Sequence, residues 1–191
     1  MDTGTSNYRG RITIGLYNTY NPVKFMEAHR RAMCRAGALA EGFDCNLAFF
    51  GFPVPQEVRT PLEITEWATS NTTIGNEGEN FVNVARAGRV SFFDFSRKGG
   101  FPPQLGEPVI TTCRPEPEKS INPEEVVRML KKKSLLLLFG LGHKGLPEEI
   151  KVLGKYHLDI TGKGASLETA TAMGAVIGAL AVLLKVKAIK E

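Results

Sequence analysis

Two glycine loops in the last third of this 191-residue chain have the residue types and spacing to hold a ligand. The first follows the apolar run Ser134 to Phe139 and reads Gly140-Leu141-Gly142-His143-Lys144-Gly145-Leu146-Pro147. The second follows Tyr156 to Ile160 and reads Thr161-Gly162-Lys163-Gly164-Ala165-Ser166-Leu167-Glu168, opening a long apolar helix. Glycine lacks a Cβ, so its backbone can approach a ligand closely, and open α/β sheets hold ligands at the carboxyl ends of their strands. Both loops fall at such ends, and two in succession predict one shared pocket.

Around them, short apolar runs predict strands at Ile12 to Tyr17, Leu47 to Phe52, Val90 to Phe95, Val109 to Thr112, Leu135 to Phe139 and Tyr156 to Ile160. Helical patterns fall between most of them: Val23 to Arg35, Pro61 to Thr69, Asn80 to Ala87, Pro123 to Lys132, Pro147 to Leu153, and a terminal helix to about Leu184. Pro22, Pro61, Pro123 and Pro147 stand where a first helical turn tolerates a missing N–H. The alternation predicts one α/β domain over residues 1–191, with a mainly parallel sheet and helices on both faces.

Composition narrows the function classes. Cys34, Cys45 and Cys113 have no metal-ligand spacing and only three histidines accompany them, so no metal site is expected. The odd cysteine count fits a reduced, cytoplasmic setting, and the polar start Met1 to Gly10 lacks the apolar core of a signal peptide. A net charge of +4 is compatible with RNA without requiring it. Ala170 to Leu184, about fifteen residues, is shorter than the roughly 20 needed to cross a bilayer, so a buried helix and no membrane contact are expected. Its Gly174-x-x-x-Gly178 pattern predicts close backbone approach, either within the chain or to a second subunit.

Gly140-x-Gly142-x-x-Gly145 after a strand, with Asp159 nineteen residues beyond Gly140, also matches the dinucleotide fingerprint, which would imply an NAD(P)-binding oxidoreductase-like protein. Against it, only one strand and one helix follow. The intervening helix is short, and Pro147 limits how amides could cradle a pyrophosphate.

Taken together, the two loops resemble the SPOUT superfamily of RNA methyltransferases, in an archaeal branch. Phe139 to Pro147 is similar to that superfamily's first cofactor loop, and Ile160 to Glu168 to the loop leading into its last helix. More faintly, Asn21-Pro22 followed by a helix with Arg30, nine residues after the Asn, is similar to its first motif. The resemblance implies a C-terminal trefoil knot over approximately residues 107–185, S-adenosylmethionine as cofactor, tRNA or rRNA as substrate with the ribose 2′-oxygen favoured over a base, and a homodimer paired through the C-terminal and N-terminal helices. It assigns the cofactor to Thr111, Thr112, Gly140, Leu141, Gly142, Gly145, Ile160, Gly162, Ser166 and Leu167. Arg30 and Glu168 become the catalytic candidates, and Lys24, Arg31, Arg97 and Lys98 the RNA-binding ones.

Three positions depart from the superfamily's pattern: Gly142 stands for a glutamate, Glu168 for an asparagine and Lys24 for an asparagine. Cofactor binding is therefore better supported than ribose methylation, and a superfamily member that binds cofactor or RNA without catalysing transfer stays open. The same residues also have structural readings. Glu27 to Arg31 is the solvated face of an amphipathic helix, Ser166 an N-cap, Glu168 a carboxylate favoured at a helix start, and His143 an exposed side chain. The basic loop Ser96 to Phe101 suits a phosphate backbone and a stacked base, or plain solvent.

Overall fold

A computed structural model describes residues 10–70, 76–95 and 100–189. Its core is a seven-stranded, wholly parallel sheet of β1 (Ile12–Asn18), β2 (Asn46–Phe50), β3 (Val90–Phe93), β4 (Glu107–Thr111), β5 (Ser120–Ile121), β6 (Leu135–Leu141) and β7 (Tyr156–Leu158). Across the sheet the order is β3-β2-β1-β6-β4-β7-β5. Among the described residues six α-helices accompany it: α1 (Glu27–Gly42), α2 (Pro61–Thr69), α3 (Asn76–Arg86), α4 (Pro123–Leu130), α5 (Glu148–Lys151) and α6 (Thr169–Ile189).

The centre of the sheet explains its register. Leu135 to Phe139 are all buried, as a parallel strand covered on both faces requires. Leu135, Leu137 and Phe139 pack into the larger core with α1, α2, α3, α4 and α6, while Leu136 and Leu138 join a smaller cluster with Leu105, Leu146 and Ile150. One face is thus roofed by helices. The other is roofed by loops and the four-residue α5. β1 lies beside β6 with Tyr17 opposite Gly140 and Asn18 opposite Leu141, so the first glycine loop leaves the sheet next to the end of β1.

Several expected boundaries move for identifiable reasons. The first helix begins at Glu27 rather than Val23, because the Asn21 side chain accepts the Val23 and Lys24 amides at 3.0 and 2.8 Å and holds Pro22 in a turn. It then runs past Arg35 to Gly42, since Gly37 sits where a Cβ would collide with Phe81 of α3. Close helix contact there outweighs the roughly 1 kcal/mol cost of an interior glycine. β2 ends at Phe50, before Gly51 turns with φ of 67°. β5, only two residues long, leaves no periodicity to read.

The terminal helix differs most. α6 has 21 residues, and by length and composition its Thr169–Val186 stretch is apolar enough to cross a membrane, with a mean hydropathy of 1.8. The expectation of a helix buried on every face is corrected. Met173, Val176, Ile177 and Leu180 are buried, whereas Val182 and Val186 are 61% and 43% exposed. A Cβ at Gly174 or Gly178 would meet no atom within 4 Å, so the two glycines serve no close packing inside the described chain.

Candidate functional site

The carboxyl ends of β4, β6 and β7 meet the start of α6 around a cleft of about 1100 Å³. Thr111 to Arg114 continue from β4, Gly140 to Leu146 from β6 and Leu158 to Ile160 from β7, with Ala165 to Ala170 closing one side and α1 the other. Leu141, Ile160, Leu167 and Val176 supply apolar wall, and Arg31 and Arg35, one turn apart on α1, supply charge with Glu27. A space of this size, with apolar wall interleaved with many polar and charged groups, suits a nucleotide-sized ligand.

Each glycine loop is set by a neighbour. The first is anchored by Thr19, whose backbone N–H and hydroxyl both donate to the Leu141 carbonyl, at 3.1 and 2.7 Å. A Cβ on Gly140 would overlap the Gly145 backbone, so this glycine lets the loop fold back on its own strand. Gly142 has φ of 136°, and a Cβ there would stand 3.0 Å from the Thr19 hydroxyl. Gly145, at φ of 66°, has open space where a Cβ would be. Gly142 lines the cleft, and its missing Cβ also makes room for Thr19.

The second loop is organised by Asp159. Its Oδ1 accepts the Thr161 N–H at 2.9 Å and the Thr161 hydroxyl at 2.7 Å, and its Oδ2 accepts the Gly164 N–H at 2.7 Å. Partial burial opposes the charge, but the Thr161 hydroxyl and the loop amides outweigh it and hold the carboxyl below its ordinary range. Asp159 is thus engaged with its own loop and not poised for a ribose. The dinucleotide reading loses its acidic partner, and the helix behind the first loop is four residues long.

A third polar centre fixes the entry to α1. His29 is wholly buried among Tyr20, Phe25 and Phe52, not on a solvated helix face. Its Nδ1 accepts the Met26 N–H at 2.9 Å, which leaves Nε2 to donate to Asn18 Oδ1 at 3.1 Å. Asn18 Nδ2 donates in turn to the carbonyls of Asn21 and Gly51, at 2.9 and 2.8 Å. The Asn18-to-Pro22 stretch is therefore a hydrogen-bonded polar turn beside the first glycine loop.

Comparison with known proteins adds a family to this geometry. A family profile described as protein of unknown function, DUF531, matches residues 12–181. This chain belongs to the DUF531 family. An uncharacterized protein of Methanocaldococcus jannaschii is 39% identical over 166 residues, which cover 87% of this chain and 90% of that one. The fold is shared with a probable methyltransferase from Bordetella pertussis Tohama I, at a TM-score of 0.60, 14% identity and coverage of 92% and 96% of the two chains. It is also shared with a structure solved for the 2-OH methylation of C/U34 on tRNA (0.58, 18%, 92% and 97%) and with the A. aeolicus TrmH/SpoU tRNA modifying enzyme (0.51, 15%, 96% and 80%). The DUF531 chain thus has the α/β fold of the SPOUT methyltransferases.

Of the residues singled out for a cofactor in this DUF531 member, Thr111, Thr112, Gly140, Leu141, Gly142, Gly145, Ile160, Ser166 and Leu167 all line the cleft. Gly162 does not; it is exposed at the turn between its walls. Glu168 lines the cleft, and its carboxylate accepts the Ala170 and Thr171 amides at 2.9 and 3.2 Å, so it, and not Ser166, caps α6. Arg30 lies outside the cleft of its own chain. It pairs with Glu27 at 3.4 Å and sits over Phe25, and its Nε is buried without a partner. Lys24 is exposed and outside the cleft, Arg31 lines it, and Arg97 and Lys98 lie outside the described residues. Arg35 and Lys151 join the walls unannounced, because a lone basic residue has no sequence signal that separates a site wall from solvent.

Proposed function

We propose that this DUF531 protein is an S-adenosylmethionine-dependent RNA methyltransferase, acting on tRNA or rRNA with a ribose 2′-oxygen as the favoured acceptor. The observation that carries the proposal is the convergence of the β4, β6 and β7 ends on one cleft, walled by the two glycine loops, in a fold shared with methyltransferases. The residues fit the cofactor: Leu141, Ile160 and Leu167 suit an adenine, and the Gly142–Gly145 turn and Thr111–Thr112 offer main-chain and hydroxyl groups to its polar parts. Bound S-adenosylmethionine would supply an electrophilic methyl group on a sulfonium.

The chain's own part is alignment and proton handling. Holding an acceptor hydroxyl in line is worth up to about 7–11 kcal/mol in well-ordered systems. Glu168, fixed by two α6 amides at the cleft wall, is the carboxylate placed to orient that hydroxyl or take its proton. Arg31 and Arg35 hold phosphate oxygens along α1. Arg30 acts from outside its own cleft, on RNA or on the cleft of a second subunit, through the part of its guanidinium that stays exposed beside Glu27. We place the C-terminal trefoil knot here as well, as part of the same reading.

A homodimer completes it. Thr171, Gly174, Ala175, Gly178 and Val182 form an open stripe on α6 at helical spacing. Covering it with a second copy of α6 and the adjoining α1 would bury the exposed valines. Light scattering should give twice 20.9 kDa, and Gly178→Leu should return the monomer. A wild-type monomer at micromolar concentration counts against this arrangement.

The decisive experiment is thermal shift with S-adenosylmethionine, S-adenosylhomocysteine, NAD and NADP, followed by transfer of labelled methyl to total RNA. A ligand at a hundred times its dissociation constant adds about 2.7 kcal/mol of stability. Stabilisation by S-adenosylmethionine with labelled RNA supports the enzyme. Cofactor binding without transfer supports the binding-protein alternative, and stabilisation by NAD alone overturns both.

A further inference from the structure

Behind the Gly142–Leu146 loop lies a second hollow of about 470 Å³, within the roughly 300–1,000 Å³ of small-ligand pockets. Its floor and walls are Tyr17 at the end of β1, Phe95 beyond β3, and the Asn18–Thr19 pair, with Lys144 and Glu149 at the rim. The Tyr17 and Phe95 rings meet at a 5.4 Å centroid distance and a 52° tilt. Tyr17 is backed by Phe50, and Phe95 lies in the space that any side chain on Gly51 would fill, so both rings are held in place. Phe95 is nevertheless 36% exposed. Burial first, and the Glu149 carboxylate second, raise the Tyr17 phenol above its usual range, so it remains a neutral donor.

Two fixed aromatic rings offer a π-face, an exposed carboxylate offers an acceptor, and an exposed ammonium offers a cation. A nucleobase with its phosphate uses all three: the base stacks, an exocyclic amino group donates to a carboxylate, and the phosphate pairs with a lysine. We propose that this hollow seats one base of a single-stranded nucleotide, its amino-bearing edge toward Glu149 and its phosphate toward Lys144. The placement rests on the methyltransferase reading. Lys144 and Gly145 belong to the walls of both cavities, so a base seated here brings its sugar to the loop that divides it from the cofactor cleft.

The test is equilibrium binding of CMP and UMP to the whole protein, since uracil lacks the amino group. Wild type should prefer CMP. Phe95→Leu should weaken both by about ten-fold, Glu149→Ala should erase the preference, and neither should change stabilisation by S-adenosylmethionine or the melting temperature without ligand. Equal binding of CMP to wild type and a folded Phe95→Leu, or no preference for CMP in wild type, overturns the assignment. If nucleotide binding depends on Phe95 but S-adenosylmethionine does not stabilise the protein, the base site stands and the methyltransferase reading falls.

Discussion

His29 Nε2 stands 3.1 Å from Asn18 Oδ1, joining the start of α1 to the carboxyl end of β1 through two enclosed side chains. The neighbours of that pair are Tyr20, Phe25 and Phe52, and Thr19, next to Asn18, holds the first glycine loop by the Leu141 carbonyl. Stability of the α1 entry and the shape of the cleft are therefore coupled through the short turn from Asn18 to Pro22.

Burial holds the His29 imidazole below its usual pKa. The unfolded chain, with a histidine near 6.5, then binds more protons than the folded one in mild acid. Stability from this site is complete above about pH 6.5 and is lost as pH falls through the lower folded value, by at most about 1.4 kcal/mol per pH unit. Urea midpoints at pH 7.5 and 5.5 should differ in wild type and differ less in His29→Phe. An identical pH slope in the two proteins would remove His29 from this role.

Asp159→Ala should open the second glycine loop, since it deletes the acceptor of three loop donors. Hydrogen bonds to a charged group are worth about 1.5–3 kcal/mol, but this loop is partly exposed, so the loss should be toward or below the lower end. We expect a larger effect on S-adenosylmethionine binding than on the melting temperature. The carboxyl is held below its ordinary range, so its contribution is present above about pH 4 and fades as pH drops further. Hydrogen exchange at Thr161 and Gly164 unchanged by Asp159→Ala would show the loop to be held by something else.

Leu167→Asp tests the cleft without disturbing the core. Leu167 is 38% exposed, so the fold should lose little, while a charge in the proposed adenine wall should cut cofactor affinity at least about ten-fold. Gly142→Val should behave differently and lower the melting temperature as well, because it combines a disfavoured φ with the Thr19 contact. Normal cofactor binding by Leu167→Asp would move the adenine elsewhere.

Arg31 and Arg30 should separate in RNA assays. Arg31 lines the cleft, so Arg31→Ala should weaken RNA binding and flatten its salt dependence by about 0.7 in log–log slope for each single-strand phosphate that the variant leaves unneutralised. Arg30→Ala should spare binding and reduce methyl transfer. Loss of binding in Arg30→Ala with no effect of Arg31→Ala would reverse the two roles.

Much of the sheet is legible in the sequence because its strands are apolar runs ended by glycine or polar turns, and nine of ten proposed cofactor residues line one cleft for the same reason: both glycine loops sit at strand ends. The start of the first helix is not legible, because an Asx turn and a helix start use the same Asn21-Pro22 pair. Only folding shows which one the backbone amides of Val23 and Lys24 join.

Residue types and spacing determined the parallel α/β plan, the two loops and the apolar character of α6. Tertiary structure decided that Arg30 faces away from the cleft while Arg31 enters it, since adjacent residues on a helix point about 100° apart and only the packing of α1 fixes which direction is inward. It decided too that Asp159 and Glu168 are bound by loop and helix amides, and that Gly174 and Gly178 lie open. The Asp159 and Glu168 bonds join residues only two to five apart but need the loop's actual backbone turn. The direction of α1 and the openness of the α6 glycines depend instead on segments far apart in the chain, and a linear pattern carries no information about which neighbour fills a glycine's missing side chain.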